Sequence, residues 1–197
     1  PLVEGYQDPE KMTTFGVGQL MLDAVKRGCK KLIVGLGGSC TNDGGAGAAA
    51  ACGAKFYDAE GQTFMPVGGT LCRMARVDLS GLKAQLDGIE IIAMCDIDNP
   101  LCGPQGAAAV FGPQKGADSA MVARLDEGLR HLAEVVRRDT GCDAMDEPGA
   151  GAAGGMGYGM LACFGAKLQM GIETVLDTVS FETLARRADI ILTGEGR

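Results

Sequence analysis

A run of glycine, hydroxyl, amide and carboxylate residues occupies positions 37–47 of the chain. It follows the apolar stretch 31–36, which predicts a strand buried on both faces, and it leads into the small-residue stretch 46–52, which predicts a helix. Glycines let successive backbone N–H groups face one concavity that binds phosphate or carboxylate, and a helix N-terminus adds favourable partial charge. We therefore predict an anion-binding loop here, with contacts from Gly37, Gly38, Ser39, Thr41, Asn42 and Gly44.

Asp43 is the one acidic residue in this loop. A carboxylate beside a bound anion is unexpected unless it binds Mg²⁺, orients a hydroxyl group or caps the following helix. The residue types alone leave these three roles open. The density of polar residues around Asp43 favours a functional role for the loop.

A second polar group, Asp96, Asp98 and Asn99, follows the apolar stretch 89–95, which predicts another buried strand. Two carboxylates one residue apart are typical ligands of a hard cation, and they also suit a base with an orienting partner. The same residues fit an Asx turn before Pro100. Both interpretations stay open at this point.

Two cations follow in other loops. Lys115 lies in the tight turn 112–116, where it fits either a phosphate contact or an ordinary loop lysine. Glu195 and Arg197 follow the apolar stretch 189–193, which predicts a third strand. Arginine suits bidentate contact with a carboxylate or phosphate, and a surface ion pair is the alternative.

The elements that must position these residues alternate along the chain. Apolar spacing, capping residues and glycine clusters predict helices over 17–28, 46–52 and 118–138, a helix that leads from the glycine cluster 149–159 to residue 163, and one or two short helices within 172–187. Strand, glycine-rich loop and helix in repetition indicate an α/β protein of three layers with a largely parallel sheet, in which ligands bind at the carboxyl ends of the strands. A length of 197 residues favours a single domain over 1–197. The second glycine cluster, 149–159, follows no strand, so we expect close helix packing there.

Composition excludes several classes of protein. The net charge of −7 without a basic stripe argues against nucleic acid and anionic membrane surfaces as partners. No apolar run is long enough to span a bilayer. Eight separated cysteines without a CxxC pair argue against a zinc site, and they favour free thiols in a cytoplasmic protein.

Five blocks of the sequence, in the same order, resemble the bacterial glycerate kinase family of type 1. The blocks are 35–47 (GLGGSCTNDGGAG), 95–101 (CDIDNPL), 111–117 (FGPQKGA), 149–157 (GAGAAGGMG) and 192–197 (LTGEGR). Cys40 stands where the family often has Ala, which is a conservative departure. The resemblance extends over nearly the whole chain.

The resemblance implies phosphorylation of D-glycerate with ATP and Mg²⁺, with 2-phosphoglycerate as the favoured product. It also implies a two-domain α/β protein with the active site between the domains, of which this chain is mostly the middle domain. The family extends beyond both ends of this stretch. A non-catalytic binding or dimerisation module, and a kinase for a related hydroxy acid, remain alternatives, and a homodimer is left open.

The same resemblance allows roles to be assigned as hypotheses. Loop 37–45 holds the glycerate carboxylate or the ATP phosphates, together with Asn99 and Glu195. Asp43 or Asp98 takes Mg²⁺ or accepts the hydroxyl proton, and Asp96 is a further Mg²⁺ ligand. Lys115 and Arg197 neutralise developing phosphate charge, which is the main requirement of phosphoryl transfer.

Overall fold

The computed structural model describes residues 8–192 and 194. Its helices and strands alternate along the chain, with two 3₁₀ turns at Gly68–Arg73 and Pro113–Lys115. In chain order the elements are α1 (Phe15–Lys26), β1 (Lys31–Gly35), α2 (Ala46–Ala51), β2 (Lys55–Tyr57), β3 (Arg76–Asp78), α3 (Ser80–Gln85), β4 (Glu90–Met94), α4 (Ala107–Phe111), α5 (Ser119–Thr140), α6 (Ala152–Ala162), β5 (Lys167–Gln169), α7 (Gly171–Thr178) and α8 (Phe181–Ala185).

The larger sheet is parallel and has the strand order β1-β4-β5. Ile33 of β1 lies opposite Ile92 of β4, and Ala93 of β4 lies opposite Leu168 of β5. Strands β2 and β3 form a separate antiparallel pair. The predicted α/β class with a parallel sheet is therefore confirmed.

Burial follows the position of each strand in the sheet. The central strand β4 has Ile91, Ile92 and Ala93 buried, so both of its faces are covered, as predicted. Strand β1 was expected to be buried on both faces as well, and this was wrong, because Ile33 is 40% exposed. Among the described strands β1 lies at the edge of the sheet, where one neighbour is missing.

Helix α5 follows the predicted pattern closely. The Asp118 side chain caps it by accepting a hydrogen bond from Met121 N, and Gly141 ends it in a left-handed conformation with φ of +78°. Its apolar stripe is buried in the core and includes Leu125, Leu129, Leu132 and Val136.

The second glycine cluster is a packing device, as expected, but it also bends the chain. Ala153, Gly154 and Gly155 have left-handed backbone angles, so α6 is interrupted near its start. A Cβ atom on Gly154 would lie 1.9 Å from Thr41 O. This segment therefore packs directly against the backbone of the first glycine-rich loop.

Helices α7 and α8 confirm the prediction for 172–187, whereas the strand predicted over 189–193 is wrong. The described part, 189–192, forms no strand, and Thr193 lies outside the described residues. Ile190 is 78% exposed and Leu192 is 92% exposed. A strand needs a neighbour for its backbone groups, and none of the described strands pairs with this segment.

Candidate functional site

The glycine-rich loop divides into an outer and an inner part. Gly37 and Gly38 are exposed, and Ser39 and Cys40 are half-buried. Residues 41–45 are buried in the protein. Only the outer part, together with Thr41 at its border, lines a cavity, so the surface that a ligand can reach is smaller than the loop predicted from sequence.

Asp43 belongs to the inner part and has no exposed surface. Its Oδ2 accepts hydrogen bonds from Thr14 N (2.7 Å), Thr14 Oγ1 (2.9 Å), Thr13 Oγ1 (3.3 Å) and Gly47 N (3.3 Å), and its Oδ1 accepts one from Gly45 N (3.2 Å). Burial raises the pKa of Asp43, and the hydrogen bonds oppose that rise. The carboxylate ties α1 to the loop, so the predicted role in Mg²⁺ binding or proton transfer does not fit this geometry.

The N-terminus of α2 is also occupied from within the protein. Gly45 N and Gly47 N donate to Asp43, and Ala48 N donates to Thr14 Oγ1 (2.9 Å). Gly44 N donates to Gly154 O (3.1 Å). In this structure Gly44 N and the first N–H groups of α2 therefore already have partners, so they are not free to make the predicted anion contacts.

Thr41 and Asn42 are buried too, and neither side chain has a hydrogen-bond partner among the described residues. Asn42 has no exposed surface, and the predicted ligand contact from its amide is therefore not available in this conformation. The backbone of Thr41 has a clearer role, since its carbonyl oxygen holds a buried cation.

That cation is Lys115. The short helix α4 and the 3₁₀ turn Pro113–Lys115 bring it back to the loop, where Nζ donates to Thr41 O (2.7 Å) and Ser39 Oγ (3.1 Å). Lys115 is 4% exposed, and burial lowers its pKa to about 8, while nearby Cys40 and Asp43 act in the opposite direction. An ammonium has three N–H donors. Two of them donate to Thr41 O and Ser39 Oγ, so one remains for an anion.

A cavity of about 200 Å³ lies between Lys115 and the outer part of the loop. It combines backbone, a hydroxyl and a buried cation with apolar walls, which suits an anionic group. Its lining consists of Leu36, Gly37, Gly38, Ser39, Ile97, Phe111, Gln114, Lys115 and Ala153.

A second cavity of about 330 Å³ adjoins the same loop. It shares Leu36, Gly37, Gly38, Ser39 and Ala153 with the first, and none of its lining residues carries a charge. Its remaining lining comes from α1 and the two residues before it, from β1, from the loop and from α6: Thr13, Thr14, Val17, Val34, Gly35, Cys40, Thr41 and Met156.

The aspartates predicted as a metal site follow β4, at the expected end of the sheet. Both are exposed, and Ile97 between them lines the first cavity, whereas neither aspartate does. Asp96 Oδ1 accepts a hydrogen bond from Gly171 N (2.7 Å), and Asn99 Nδ2 donates to Gln105 O (2.8 Å). Asp98 has no hydrogen-bond partner among the described residues, so its carboxylate is available.

Of the residues predicted from sequence, Gly37, Gly38, Ser39 and Lys115 line one cavity. Glu195 and Arg197 lie outside the described residues. The lining residues outside loop 37–45 that were not predicted are Thr13, Thr14, Val17, Val34, Gly35, Leu36, Ile97, Phe111, Gln114, Ala153 and Met156. Most of them lie in the blocks that resemble the glycerate kinases, and this was the available signal. Thr13, Thr14, Val17 and Val34 lie outside those blocks.

Comparison with known proteins decides the family. The sequence profile of the glycerate kinase family matches residues 1–197, which is the whole chain. The chain belongs to the glycerate kinase family. The resemblance of the five sequence blocks is thereby confirmed.

Members of the glycerate kinase family with curated names are close in sequence. A glycerate kinase of Bacillus cereus is 47% identical over 97% of this chain and 50% of its own length. A glycerate 2-kinase of Escherichia coli is 46% identical over the same shares. A crystal structure from Salmonella typhimurium LT2, described as a candidate glycerate kinase 2, is 45% identical with a TM-score of 0.94, over 100% of this chain and 52% of that one.

The chain spans about half the length of the curated relatives it matches. No helix within the described ranges is long and apolar enough to cross a membrane. Within the same residues, no group of three or more histidine, cysteine or acidic side chains is arranged to hold a metal ion.

Proposed function

We propose that this protein transfers the γ-phosphoryl group of ATP to D-glycerate with Mg²⁺, giving 2-phosphoglycerate. The observation that carries the proposal is the buried Lys115 ammonium, fixed at 2.7 Å on Thr41 O beside the exposed glycines of the loop. Family membership supports glycerate as the acceptor, and the glycerate 2-kinase among the relatives supports the 2-position.

Lys115 acts in this proposal by position and charge. Phosphoryl transfer is accelerated mainly by fixed groups that stabilise the charge developing on the phosphoryl oxygens. The two protein hydrogen bonds hold the ammonium before a ligand arrives, so little reorganisation accompanies the reaction. The backbone of Gly37 and Gly38 and the hydroxyl of Ser39 supply further contacts around the same cavity.

The residues present fit Mg²⁺. Proteins usually hold this ion through one or two carboxylates and the phosphates of the substrate, so a cage of protein ligands is not needed. Asp96 would be the carboxylate that holds the ion, since one of its oxygens is engaged with Gly171 N while the other is available. When bound, Mg²⁺ would neutralise charge on the transferring phosphoryl group.

The proton of the glycerate hydroxyl group goes to Asp98 in this scheme. Of the two carboxylates offered by the sequence, Asp43 is enclosed by five hydrogen-bond donors and Asp98 is exposed. A base must be accessible to the proton that it accepts, and of these two carboxylates only that of Asp98 is exposed.

The proposal also includes a cytoplasmic location. All eight cysteines are free in the structure, which matches a reducing compartment. Association into homodimers stays a prediction from the sequence.

Product analysis by NMR tests the function in the full-length protein. With D-glycerate, ATP and Mg²⁺, we expect phosphorus coupled to the proton on carbon 2, and no turnover without Mg²⁺. A panel of neighbouring hydroxy acids decides between glycerate and a related acceptor. Formation of 3-phosphoglycerate, or preference for another acid, would contradict the proposal.

Asp98→Asn tests the assigned carboxylate, with Asp87→Asn as a matched control at another exposed position. We expect kcat to fall at least tenfold in Asp98→Asn and to stay unchanged in the control. Wild-type kcat and wild-type Mg²⁺ dependence in Asp98→Asn would remove Asp98 from the mechanism.

A further inference from the structure

The two cavities beside the glycine-rich loop differ in chemistry although they share a wall. Only the first contains a charged side chain, Lys115. The second is the larger, at about 330 Å³, and no charged residue lines it. A ligand that fills both must have one anionic end and one uncharged end.

The walls of the second cavity suit a flat, largely apolar group. Val17 on α1, Val34 on β1 and Met156 on α6 contribute apolar surface from three elements. Its volume falls within the range of pockets that bind small organic molecules, which are mostly apolar with a few polar groups. Polar backbone from residues 37–41 lies at its edge.

Glycerate does not match the second cavity. Its carboxylate carries a full charge, and transferring a charge into an uncharged cavity without a partner is costly. ATP matches the pair of cavities, because its triphosphate is anionic and its base is uncharged. The shared wall of Gly37, Gly38 and Ser39 then lies where the two parts of the nucleotide join.

We infer that the uncharged cavity between α1, β1 and α6 binds the nucleoside end of ATP, with the phosphates crossing the loop at Gly37–Ser39 towards Lys115. This inference rests on the proposed function, since it assigns the donor nucleotide of that reaction. It leaves D-glycerate to a position outside the second cavity. Val17, Val34 and Met156 are accordingly residues for nucleotide binding and have no part in the chemical step.

Filling the cavity is the first test. Val17→Phe in the full-length protein places a larger side chain into the second cavity, and Leu20→Phe on the same helix α1 is the control, because Leu20 is 73% exposed and lines neither cavity. We expect the Kd of ADP, measured by calorimetry, to rise at least tenfold in Val17→Phe and to stay unchanged in Leu20→Phe. The Kd of inorganic tripolyphosphate should stay unchanged in both variants.

Lys115→Met tests the anionic end of the assignment. Tripolyphosphate binding should weaken at least tenfold, since its charge lies at the first cavity. An ADP affinity that is unchanged in Val17→Phe, or a tripolyphosphate affinity that falls with that of ADP in folded Val17→Phe, overturns the assignment of the base. Failure of the proposed function looks different: the wild-type protein then binds no ADP and forms no phosphoglycerate.

A measurement on the unmodified protein covers the case in which Val17→Phe does not fold. Cys40 lines the second cavity and is half-buried, whereas Cys29 is exposed and lines neither cavity. Saturating ADP should slow alkylation of Cys40 at least fivefold and leave Cys29 unchanged, as read by mass spectrometry. Saturating tripolyphosphate should protect Cys40 less than twofold. Equal protection by the two ligands, or none by ADP, contradicts the inference.

Discussion

The ammonium of Lys115 lies 2.7 Å from Thr41 O and 3.1 Å from Ser39 Oγ, inside the protein and away from bulk solvent. Asp43, four residues after Ser39, is buried as well but faces α1 through Thr13 and Thr14. The sequence alone gave no reason to prefer one of these two residues over the other as a catalytic group. Their partners separate them, since Lys115 lines a cavity and Asp43 is enclosed.

The charge on Lys115 should set the alkaline limit of activity. Burial lowers its pKa to about 8, so the ammonium is charged below that pH and is lost as the pH rises through it. We expect kcat/KM of the full-length protein to fall as the pH passes about 8, because the neutral amine no longer stabilises phosphoryl charge. In Lys115→Arg this alkaline fall should disappear, because guanidinium stays charged.

Removing the charge should lower activity at every pH. We expect kcat/KM in Lys115→Met to fall about 100-fold at pH 7, the size seen when one fixed donor to a developing negative charge is lost. Lys83→Met, at an exposed position, is the control and should match the wild type. If kcat/KM still falls at alkaline pH in Lys115→Arg, the fall belongs to the titration of another group.

Asp43→Asn should act on stability. An amide in place of the carboxylate turns one acceptor into a donor facing N–H and O–H groups that also donate. We expect the free energy of unfolding to fall by about 3 kcal/mol, as for other buried, hydrogen-bonded charges. Urea denaturation measures this, with Asp87→Asn as the control. Unchanged stability together with lost activity would instead assign Asp43 a direct role in the reaction.

At the scale of elements, the decisive contact joins the two glycine clusters. The left-handed turn at residues 153–155 packs against loop 41–45, and Gly154 approaches Thr41 so closely that no side chain fits between them. This contact fixes Thr41, whose carbonyl oxygen holds Lys115. Gly154 therefore acts on the proposed site indirectly: it packs against Thr41, which holds Lys115, and it lines neither cavity itself.

Gly154→Ala and Gly165→Ala separate crowding from backbone strain. Both glycines have positive φ, +72° and +62°, but only Gly154 has neighbours where a Cβ would be placed. We expect Gly165→Ala to cost about 1 kcal/mol from strain alone and Gly154→Ala to cost more than about 3 kcal/mol. Urea denaturation of both variants checks this. Equal costs would show that the contact with Thr41 is not tight.

At the scale of the whole molecule, the thiols report on packing. Cys29 and Cys72 are exposed, Cys52, Cys95 and Cys163 are buried, and the remaining three are intermediate. Burial raises the pKa of Cys52 to about 11, and burial together with Glu127 raises the pKa of Cys72. Thiolate, the reactive form, is therefore scarce at both positions.

Thiol titration should reflect this order. We expect Cys29 to react first in the folded protein and Cys72 to follow more slowly, since its pKa is raised. Cys52, Cys95 and Cys163 should react only on unfolding, when all eight of these cysteines become available. A mass-resolved time course with a thiol reagent measures this. Reaction of Cys163 in the folded state at the rate of Cys29 would contradict the packing of α6.

The sequence was sufficient to predict the α/β class, the long helix α5 with its caps, the buried strand β4 and the family, because periodicity, capping residues and ordered motifs are local or linear signals. It could not determine which polar residues of loop 37–47 face a ligand. The loop reads as one polar segment, yet Thr13, Thr14 and Gly154 engage its inner half from distant positions. Contacts between distant parts of the chain place Ser39 and Lys115 at one cavity and enclose Asp43 and Gly44, since donors and acceptors are matched in space and not along the chain.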